Sequence, residues 1–474
     1  VISNKKEMKD IVNVIQLDDG FQLNTGDWLE TRKAFGEDQL SKVAEKIASA
    51  GYTPGLWIAP FLCSKTSNVF KEHPDWFIRD AKKQNKYVVG HVNPAWFRGS
   101  VFNPANIKSM TMYCLDASNP AVLEHLKHVF SELSKHWKFF KIDFLAAGMR
   151  EGLRHDNTKT RVEAYIQGMQ AIREGIGKDS FLLGCGAPIM ASAYSGVLDS
   201  MRVTCDTVES WRAPWLFRKL VPDWDNLPSC ETCVRGNITR SFMHKKFWTF
   251  NDPDCLVLRK NGSSMTKDEV ITQCTVLGMT GGLLLFTDDM TKLEEDRLQL
   301  GLKVVPASSI GAQPTKLFEK MPSEYSLKGK DFAVLAILNW EKVKTSEIPV
   351  DGFEFWSEKK LKKGDVWNHR EHQACALQYP ESEGMMLLGC TMHLTALADG
   401  RINAHQDGET CRVSGNKELG CLNGKLVFSC DVSLVDSAGA SVESTDDASI
   451  LQVNILEDEW SVTVSRTGQE GNSS

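Results

Sequence analysis

Two apolar runs of this sequence end on a basic residue and a carboxylate. Lys141 and Asp143 close the first run, and Arg202 and Asp206 close the second. Lys141 and Asp143 are two residues apart, so on a β-strand both side chains point to the same face. The ammonium group would keep Asp143 ionised, as a nucleophile must be. Asp206 would lie in the loop after its strand, where other carboxylates would raise its pKa and keep it protonated. One ionised and one protonated carboxyl group predict glycoside hydrolysis.

The composition is that of an ordinary globular protein. Hydrophobic residues make up 42% of the 474 residues and charged residues 24%. The net charge of −6 argues against nucleic acid or an anionic membrane as the main partner. The longest apolar run, residues 278–286, has about half of the ~18 residues that a membrane span needs. The 13 cysteines are odd in number and scattered, which predicts reduced thiols and a cytoplasmic location rather than a disulfide framework.

Residues 1–300 alternate short β-type runs with amphipathic helical patterns. Helical spacing begins near Leu40, after Pro120 and near Val162. We predict seven strands, at residues 12–17, 54–59, 139–144, 181–186, 200–204, 247–251 and 282–287. Apolar strands that alternate with helices indicate a parallel sheet covered by helices. A doubly wound sheet would carry a Gly-rich phosphate loop after its first strand, and none is present. The sequence therefore predicts an α/β fold with a (β/α)8 TIM barrel, one strand of which is missing from the seven.

From about residue 301 the pattern changes to alternating runs separated by turn residues. The clearest of these runs are residues 332–338, 424–429 and 450–455. Their spacing is typical of an antiparallel β-sandwich. The predicted domains are therefore a catalytic barrel at residues 1–304 and a C-terminal β-sandwich at residues 305–466. The polar residues 467–474 are predicted to be a disordered tail.

In a barrel of this kind the active site is built at the carboxyl ends of the strands. The predicted strand ends are rich in ionisable and aromatic side chains, namely Asp18, Asp19, Trp57, Lys141, Asp143, Cys185, Arg202, Asp206, Asp252, Asp254, Asp288 and Asp289. Aspartate is also common in loops because it favours turns, so any single one of these has an equally good structural interpretation. The whole set, with a basic residue before two of the carboxylates, favours a functional site.

No metal or cofactor is predicted. Cys230 and Cys233 have the spacing of zinc ligands, but a second pair is lacking and the segment has a helical pattern, so a structural role is favoured. His73 and His91 are assigned to hydrogen bonds in loops rather than to metal ligation. The aspartates at the later strand ends could bind cations, yet glycoside hydrolysis by two carboxyl groups needs none.

At these residues the sequence resembles the α-galactosidases and α-N-acetylgalactosaminidases of glycoside hydrolase clan D, nearest to family 36. The similar stretches occur in family order over roughly residues 10–300. They are residues 17–21 (LDDGF), 26–28 (GDW), 54–60 (PGLWIAP), 73–76 (HPDW), 115–116 (LD), 141–143 (KID), 202–206 (RVTCD), 251–254 (NDPD) and 281–288. Each motif is weak alone, and together they are highly specific.

The resemblance implies a retaining exo-α-galactosidase that hydrolyses terminal α-linked galactose or N-acetylgalactosamine. Asp143 takes the position of the family's nucleophile and Asp206 that of its acid/base. The implied substrate is an α-galactoside oligosaccharide or glycoconjugate, and the frequent oligomers among relatives imply a homo-oligomer. The shape of the loop at residues 185–188 would decide between a 2-hydroxyl and a 2-acetamido group, a choice that the sequence leaves open.

The resemblance also implies a set of sugar-binding residues. They are Asp18 and Asp19 for O4 and O6 of the sugar, Trp57 for the wall of the pocket, Lys141 and Arg202 for ring hydroxyls, and Cys185 for the 2-position.

One feature of the family has no counterpart in this sequence. In the family a strand with a Gly-Trp…Ser-Trp motif and a large β-domain precede the Asp-Asp pair, whereas residues 1–10 have the pattern of the end of a first helix. A barrel closes poorly when a strand is absent, because the neighbouring strands become unpaired edges. Two other functions therefore stay open. One is an α-galactosyl transglycosidase like the plant raffinose and stachyose synthases, and the other is a truncated, inactive sugar-binding homologue.

Overall fold

The computed structural model describes residues 11–32, 39–92, 111–220, 227–342 and 344–467. The predicted helix end at residues 1–10 and the predicted tail from residue 468 lie outside these residues. The described residues belong to two compact units. We call residues 12–202 with 247–249 the N-terminal unit, and the rest, chiefly residues 203–246 and 250–467, the C-terminal unit.

The N-terminal unit alternates strands and helices. Its strands are β1 (Val14–Leu17), β2 (Thr53–Ile58), β3 (Leu62–Ser64), β4 (Val89–Val92), β5 (Thr111–Cys114), β6 (Phe139–Ile142), β7 (Phe181–Gly184) and β8 (Ser200–Arg202). Its helices are α1 (Gln39–Ser49), α2 (Asn68–Glu72), α3 (Pro120–Ser134), α4 (Arg161–Ile176) and α5 (Ile189–Ser195), with short 3-10 helices at Pro74–Trp76 and Leu145–Met149.

Five strands of this unit form a parallel sheet in the order β1, β2, β6, β7, β8. The strands lie side by side in the order of the chain, and helices α3 and α4 precede β6 and β7. Residues 54–58 of β2 are all buried, as expected for a parallel strand covered on both faces. Trp57 pairs with Lys141 in the register of β2 and β6, so both side chains lie on one face of the sheet.

The predicted strands of this unit are present; β1 ends where predicted, and β2, β6, β7 and β8 end one or two residues earlier. The run predicted at residues 139–144 leaves the sheet after Ile142. Phe144 is the reason, because its backbone is left-handed, with φ 53° and ψ 33°, and such a residue does not continue a strand. Asp143 therefore stands at the edge of the sheet instead of inside it.

A second, antiparallel sheet of this unit has the order β3, β5, β4. The register between β4 and β5 shifts between Val89 and His91, which is a β-bulge. Gly90 lies at this bulge, where an added Cβ would come within 2.4 Å of Leu62 and 2.8 Å of the Cys114 sulfur. Only glycine lets β4 approach so closely, and this approach places the next residue, His91.

The described residues of the C-terminal unit form four helices and many short strands. The helices are α6 (Trp215–Leu220), α7 (Cys230–Thr239), α8 (Lys267–Met279) and α9 (Glu295–Leu302), with a 3-10 helix at Ser241–Met243. The first strands are β9 (Phe250–Asp252), β10 (Cys255–Leu256) and β11 (Leu285–Phe286), of which β10 and β11 pair in parallel.

The remaining strands of this unit follow in chain order. They are β12 (Gln313–Pro314), β13 (Glu324–Lys328), β14 (Phe332–Leu338), β15 (Lys344–Glu347), β16 (Gly352–Glu354), β17 (Lys359–Leu361), β18 (Val366–His369), β19 (Ala374–Pro380), β20 (Leu387–Cys390), β21 (Ile402–Asp407), β22 (Thr410–Asn416), β23 (Asn423–Phe428), β24 (Val432–Ala438), β25 (Ala440–Ser444), β26 (Ile450–Ile455) and β27 (Glu459–Arg466).

These later strands pair antiparallel. A six-stranded sheet has the order β12, β13, β14, β19, β16, β17, and β15 pairs with β18. Two four-stranded sheets follow, in the orders β20, β23, β26, β25 and β21, β22, β27, β24. Leu426 and Val453 of one sheet and Val413 and Val462 of the other belong to a single buried apolar cluster. Two sheets that share one core form a sandwich, so the antiparallel β-structure predicted after residue 304 is present.

Candidate active site

The parallel sheet brings most of the predicted site residues to one edge of the N-terminal unit. In a parallel sheet all carboxyl ends lie at the same edge, and these residues lie at or just past those ends. They are Asp18 and Asp19 after β1, Trp57 near the end of β2, Lys141 and Asp143 at the end of β6, Cys185 after β7 and Arg202 at the end of β8.

Both carboxylate oxygens of Asp143 accept hydrogen bonds. The indole Nε1 of Trp57 donates to Oδ2 over 3.2 Å, and the backbone N–H of Phe144 donates to Oδ1 over 2.6 Å. The backbone N–H of Asp143 itself donates to the carbonyl of Ile58 over 2.8 Å. Behind the carboxylate lies Gly186, where an added Cβ would be 3.0 Å from Oδ1. Asp143 is thus held in one orientation, with a lone pair left on each oxygen.

Phe144 has a left-handed backbone and supplies the second donor to Asp143. Its N–H lies in the planar peptide that joins the two residues and donates to the Asp143 side chain. The ring of Phe144 lies between two other rings. The Trp57 ring is 6.3 Å away at 88°, and the His91 ring is 4.3 Å away at 39°. Burial lowers the pKa of His91 and the nearby Arg150 cation lowers it further, whereas the Asp143 carboxylate opposes both.

A salt bridge joins β1 to β6 beside Asp143. The ammonium Nζ of Lys141 lies 3.0 Å from Oδ2 of Asp18, and the Lys141 side chain is only 13% exposed. Gln16 donates to the same Oδ2 over 2.8 Å. Burial lowers the pKa of Lys141, but Asp18, Cys185 and Asp143 together outweigh this and the net shift is upward. Lys141 therefore keeps its positive charge at the sheet edge at any physiological pH.

Asp19 is held by a different partner. Its Oδ1 accepts a hydrogen bond from Nε2 of Gln22 over 2.7 Å, and Oε1 of Gln22 accepts the N–H of Gly20. Burial raises the pKa of the Asp19 carboxyl, and the neighbouring Asp18 raises it further, while Gln22 and Arg32 oppose the rise. The Asp18–Asp19 pair thus presents two carboxyl groups with separate partners toward the same edge.

Cys185 and Arg202 are buried at the ends of their strands, each 5% exposed. The N–H of Cys185 donates to the carbonyl of Ile142 over 2.8 Å, which ties the end of β7 to β6. The Arg202 cation lowers the pKa of Lys141, whereas Cys185 and Asp143 raise it, so all three lie within electrostatic reach of the Lys141 ammonium. Lys141 is the centre of the cluster.

Asp206 lies in the C-terminal unit, where it is an exposed residue in a loop of partly buried neighbours. The residues on each side of it are anchored within that unit. The N–H of Thr207 donates to Oδ2 of Asp254 over 2.6 Å. The thiol of Cys233 donates to the carbonyl of Cys205 over 3.2 Å, and the two sulfur atoms are 3.8 Å apart. The separation of the Asp143 and Asp206 carboxyl groups, for which retaining hydrolysis requires about 5 to 5.5 Å, stays a prediction.

The other predicted candidates have structural partners. Asp252 Oδ1 accepts the N–H of Asp254 over 2.8 Å, and Asp288 forms a salt bridge with Arg259. Asp289 accepts hydrogen bonds from the N–H and hydroxyl of Thr291 in a turn. These contacts match the turn role that aspartate commonly has in loops.

Cys230 and Cys233 lie on helix α7, as their helical pattern predicts. The thiol of Cys230 donates to the carbonyl of Val208 over 3.1 Å. Within the described parts of the chain, no group of three or more His, Cys, Asp or Glu side chains is placed to hold a metal ion. In those same parts no helix has the length and apolar character to cross a membrane.

Residues 115–116, one of the stretches that resemble the clan D enzymes, have a structural role. Asp116 is 2% exposed and forms a salt bridge of 3.0 Å with Arg154, whose side chain is 4% exposed. The same carboxylate accepts hydrogen bonds from the N–H groups of Ser118 and His155. Asp116 therefore links the start of α3 to the segment before α4, and does not belong to the site.

Four residues of the site were not predicted from the sequence, namely Gln16, Gln22, His91 and Phe144. Gln16 stands two residues before Asp18, the spacing that Lys141 has with Asp143, and that pattern was a usable signal. No local pattern marks His91, because its contact with Phe144 joins residues 53 positions apart.

Residues 5–176 match the family described as Melibiase. TtGalA, the α-galactosidase from Thermus thermophilus, has a solved structure in complex with stachyose, and its sequence is 26% identical to this one. The match covers 62% of this chain and 58% of the Thermus chain, with a TM-score of 0.50. α-Galactosidase I from Mortierella vinacea is 12% identical; the match covers 80% of this chain and 89% of the Mortierella chain, with a TM-score of 0.53. A GH27 β-L-arabinopyranosidase from Geobacillus stearothermophilus is 14% identical; the match covers 79% of this chain and 91% of the Geobacillus chain, with a TM-score of 0.53.

The family match covers residues 5–176 alone, and the Thermus enzyme to which the chain is similar is an α-galactosidase. The two structures of low identity show the fold alone. Their presence beside the Thermus enzyme means that families 27 and 36 are not distinguished. This chain spans 58% of the length of the Thermus enzyme that it matches.

Proposed function

We propose that this chain is a retaining exo-α-galactosidase, nearest to family 36, that removes terminal α-linked galactose or N-acetylgalactosamine. The observation that carries the proposal is the Asp143 carboxylate, which is held through both oxygens beside the Lys141–Asp18 salt bridge at the edge of the parallel sheet. The similarity to the Thermus enzyme, solved in complex with stachyose and with p-nitrophenyl α-D-galactopyranoside, supports this substrate class.

In the first step a carboxylate oxygen of Asp143 attacks the anomeric carbon. The bond from that carbon to the glycosidic oxygen breaks, and the leaving oxygen takes the proton of Asp206. Asp206 has this role from its place in the 202–206 motif. In the second step Asp206 removes a proton from water, the water oxygen attacks the same carbon, and the ester to Asp143 is released. Two displacements leave the α configuration unchanged.

The residues around Asp143 would hold the sugar. Asp18 and Asp19 would accept hydrogen bonds from O4 and O6, and the Trp57 ring would form an apolar wall. Lys141 and Arg202 would bind ring hydroxyls, because both carry positive charge at the sheet edge, and Cys185 would lie near the 2-position. Charged partners strengthen such hydrogen bonds, and removal of one costs about tenfold to a hundredfold in binding of the transition state.

The fold proposal is that β1, β2, β6, β7 and β8 are strands of a (β/α)8 barrel. Barrel strands neighbour one another in chain order, as these do, whereas a doubly wound sheet reverses its order at a switch point. The proposed domains are the catalytic barrel of residues 1–304 and the β-sandwich of residues 305–466.

The test is hydrolysis of p-nitrophenyl α-galactoside and its 2-acetamido analogue by the full chain, with Asp143→Asn as the control variant. We expect turnover on one of the two substrates, and NMR should detect the α-anomer of the sugar as the first product. Asp143→Asn should lose turnover while its circular dichroism spectrum stays that of the wild type. The preferred substrate identifies the 2-substituent.

Four results would contradict the proposal. Substantial activity in Asp143→Asn would remove Asp143 from the nucleophile role. Initial release of the β-anomer would exclude the double displacement. Sugar binding without turnover on either substrate would point to a binding protein, and transfer of galactose to an added sugar acceptor in place of water would point to a transglycosidase.

A further inference from the structure

The backbone of Phe144 adopts a conformation that is unfavourable for its residue type. A bulky aromatic side chain at φ 53° is rare, since the Cβ then crowds the following backbone. Such a residue persists only where its surroundings hold it in place. The described residues of the N-terminal unit contain no other non-glycine residue with positive φ.

The unfavourable conformation has a consequence for Asp143. The Phe144 N–H donates to Oδ1 of Asp143, and the carbonyl of Phe144 accepts the N–H of Ala147 over 2.9 Å at the start of the 3-10 helix at Leu145–Met149. With the chain fixed on both sides, a negative φ at Phe144 would require the planar Asp143–Phe144 peptide to rotate, and Oδ1 would then lose its donor. Asp143 would then be held through Oδ2 alone, and its carboxylate would rotate.

Two rings hold the Phe144 side chain. Trp57 contacts it edge-on from β2 and also donates to Oδ2 of Asp143. His91 lies against it on the other sheet of the unit, with 4.3 Å between the ring centroids. The bulge and the close approach at Gly90 determine where His91 lies. We call Trp57, His91 and Phe144 the aromatic clamp.

We propose that His91 is a positioning residue for the nucleophile, whose flat ring holds Phe144 in its left-handed conformation and so keeps the second hydrogen bond to Asp143. This inference rests on the proposed function, because it assumes that Asp143 is the nucleophile. It requires the shape of the ring and not its nitrogen atoms.

The experiment compares three variants of the full chain. His91→Leu keeps the volume and removes the flat ring, and His91→Phe keeps the flat ring and removes the nitrogens. Phe181→Ala is the matched control. It removes the stacking of Phe181 on Phe139, whose ring centroids are 5.1 Å apart at an interplanar angle of 4°. This pair lies at the amino ends of β6 and β7, away from Asp143. Active sites are counted by trapping with a fluorinated galactosyl fluoride, and the labelled peptide is identified by mass spectrometry.

Per labelled site, we expect His91→Leu to lower kcat about tenfold, the scale of one aromatic contact. KM should stay within about twofold of the wild-type value, because the loss falls on the transition state and not on substrate binding. His91→Phe and Phe181→Ala should keep kcat within about twofold of the wild type, since neither removes a flat ring from Phe144.

Each other outcome overturns the proposal. An unchanged kcat in His91→Leu shows that the ring is not needed, and a rise in KM alone shows a binding role. If His91→Phe is as slow as His91→Leu, the nitrogens matter and the clamp does not. His91→Phe decides the question by itself if His91→Leu fails to fold. A wild-type chain that is not labelled at Asp143 overturns the proposed function, and only that result does so.

Discussion

The two carboxyl groups assigned to catalysis are supported in opposite ways. Asp143 is held through its side chain, with a donor on each oxygen, at the end of a buried strand. Asp206 is exposed, and the residues on each side of it are anchored. The Cys205 carbonyl accepts a hydrogen bond from Cys233, and the Thr207 N–H donates to Asp254. A nucleophile must approach one carbon along one line, so a fixed carboxylate suits it. An acid/base must first give a proton to the leaving oxygen and then take one from water, so an exposed carboxyl group on an anchored loop suits that role.

The largest expected effect is the loss of kcat when either catalytic carboxyl group is removed. The product that added azide forms then distinguishes the two groups. Asp143→Ala and Asp206→Ala should each lower kcat by about 10³-fold or more on an unactivated substrate. Azide should rescue both variants. In Asp143→Ala it attacks from the side of the missing nucleophile and gives the β-azide, whereas in Asp206→Ala it attacks the ester to Asp143 and gives the α-azide. NMR of the products checks this, and the same anomer from both variants would break the comparison.

A smaller effect is expected at Asp19. Asp19→Asn should lower kcat/KM about tenfold to a hundredfold, because a charged hydrogen-bond acceptor for the sugar is lost. The same variant should be more stable than the wild type at neutral pH. Burial raises the pKa of Asp19, so ionisation disfavours the folded state; that destabilisation is absent below about pH 4 and complete above the raised pKa.

Urea unfolding at several pH values measures this difference. The stability gain of Asp19→Asn should shrink as the pH falls toward 4. A variant that is less stable than the wild type at neutral pH would contradict the assigned cause. Asp18→Asn offers the contrast, because Asp18 forms the salt bridge with Lys141 and its loss should not stabilise the fold.

A still smaller effect tests the anchoring of the Asp206 loop. Asp254→Ala removes the acceptor of the Thr207 N–H and should lower kcat about tenfold on a substrate with a poor leaving group, which needs the proton of Asp206. Asp254→Asn retains an oxygen acceptor and should recover most of the loss. Labelling of Asp143 by an activated fluoride should proceed normally in both. Slow labelling in Asp254→Ala would show that Asp254 acts on the nucleophile instead.

The smallest effect on catalysis is expected at Asp116, a buried carboxylate in the motif at residues 115–116. Asp116→Asn leaves Arg154 as an uncompensated buried charge and should lower the free energy of unfolding by about 3 to 5 kcal/mol. Its kcat per folded chain should not change. Asp156→Asn, which removes a partly exposed pair with Lys159, is the control and should lower the free energy of unfolding far less. A loss of kcat without a loss of stability would move Asp116 into the site.

Much of the site was predictable because strand ends are local features. An apolar run that stops at Lys141 and Asp143 predicts a strand with two polar residues on one face, and the structure has that strand, which ends at Ile142 with Asp143 directly after it. Trp57 and Lys141 were predicted at the same edge, and they are register partners. The alternation of runs also predicted the parallel sheet and the later antiparallel one.

The roles of individual aspartates were less predictable, because an aspartate has the same local pattern in a turn, a salt bridge or a site. Asp252, Asp254, Asp288 and Asp289 stood at strand ends as Asp143 does, and their partners proved to be backbone amides, Arg259 and Thr291. These partners come from distant segments or from the next turn, and no spacing rule separates them from substrate.

The sequence alone determined the alternation of strands and helices, the residue types at the strand ends and the antiparallel β-structure that follows. These depend on hydrophobic periodicity and on turn residues, which act over a few neighbours. Only the tertiary structure decided that Phe144 is left-handed, that His91 lies against it and that Asp116 is paired with Arg154. Each of these depends on packing between segments far apart in the chain, and close packing selects one conformation that local preference would reject.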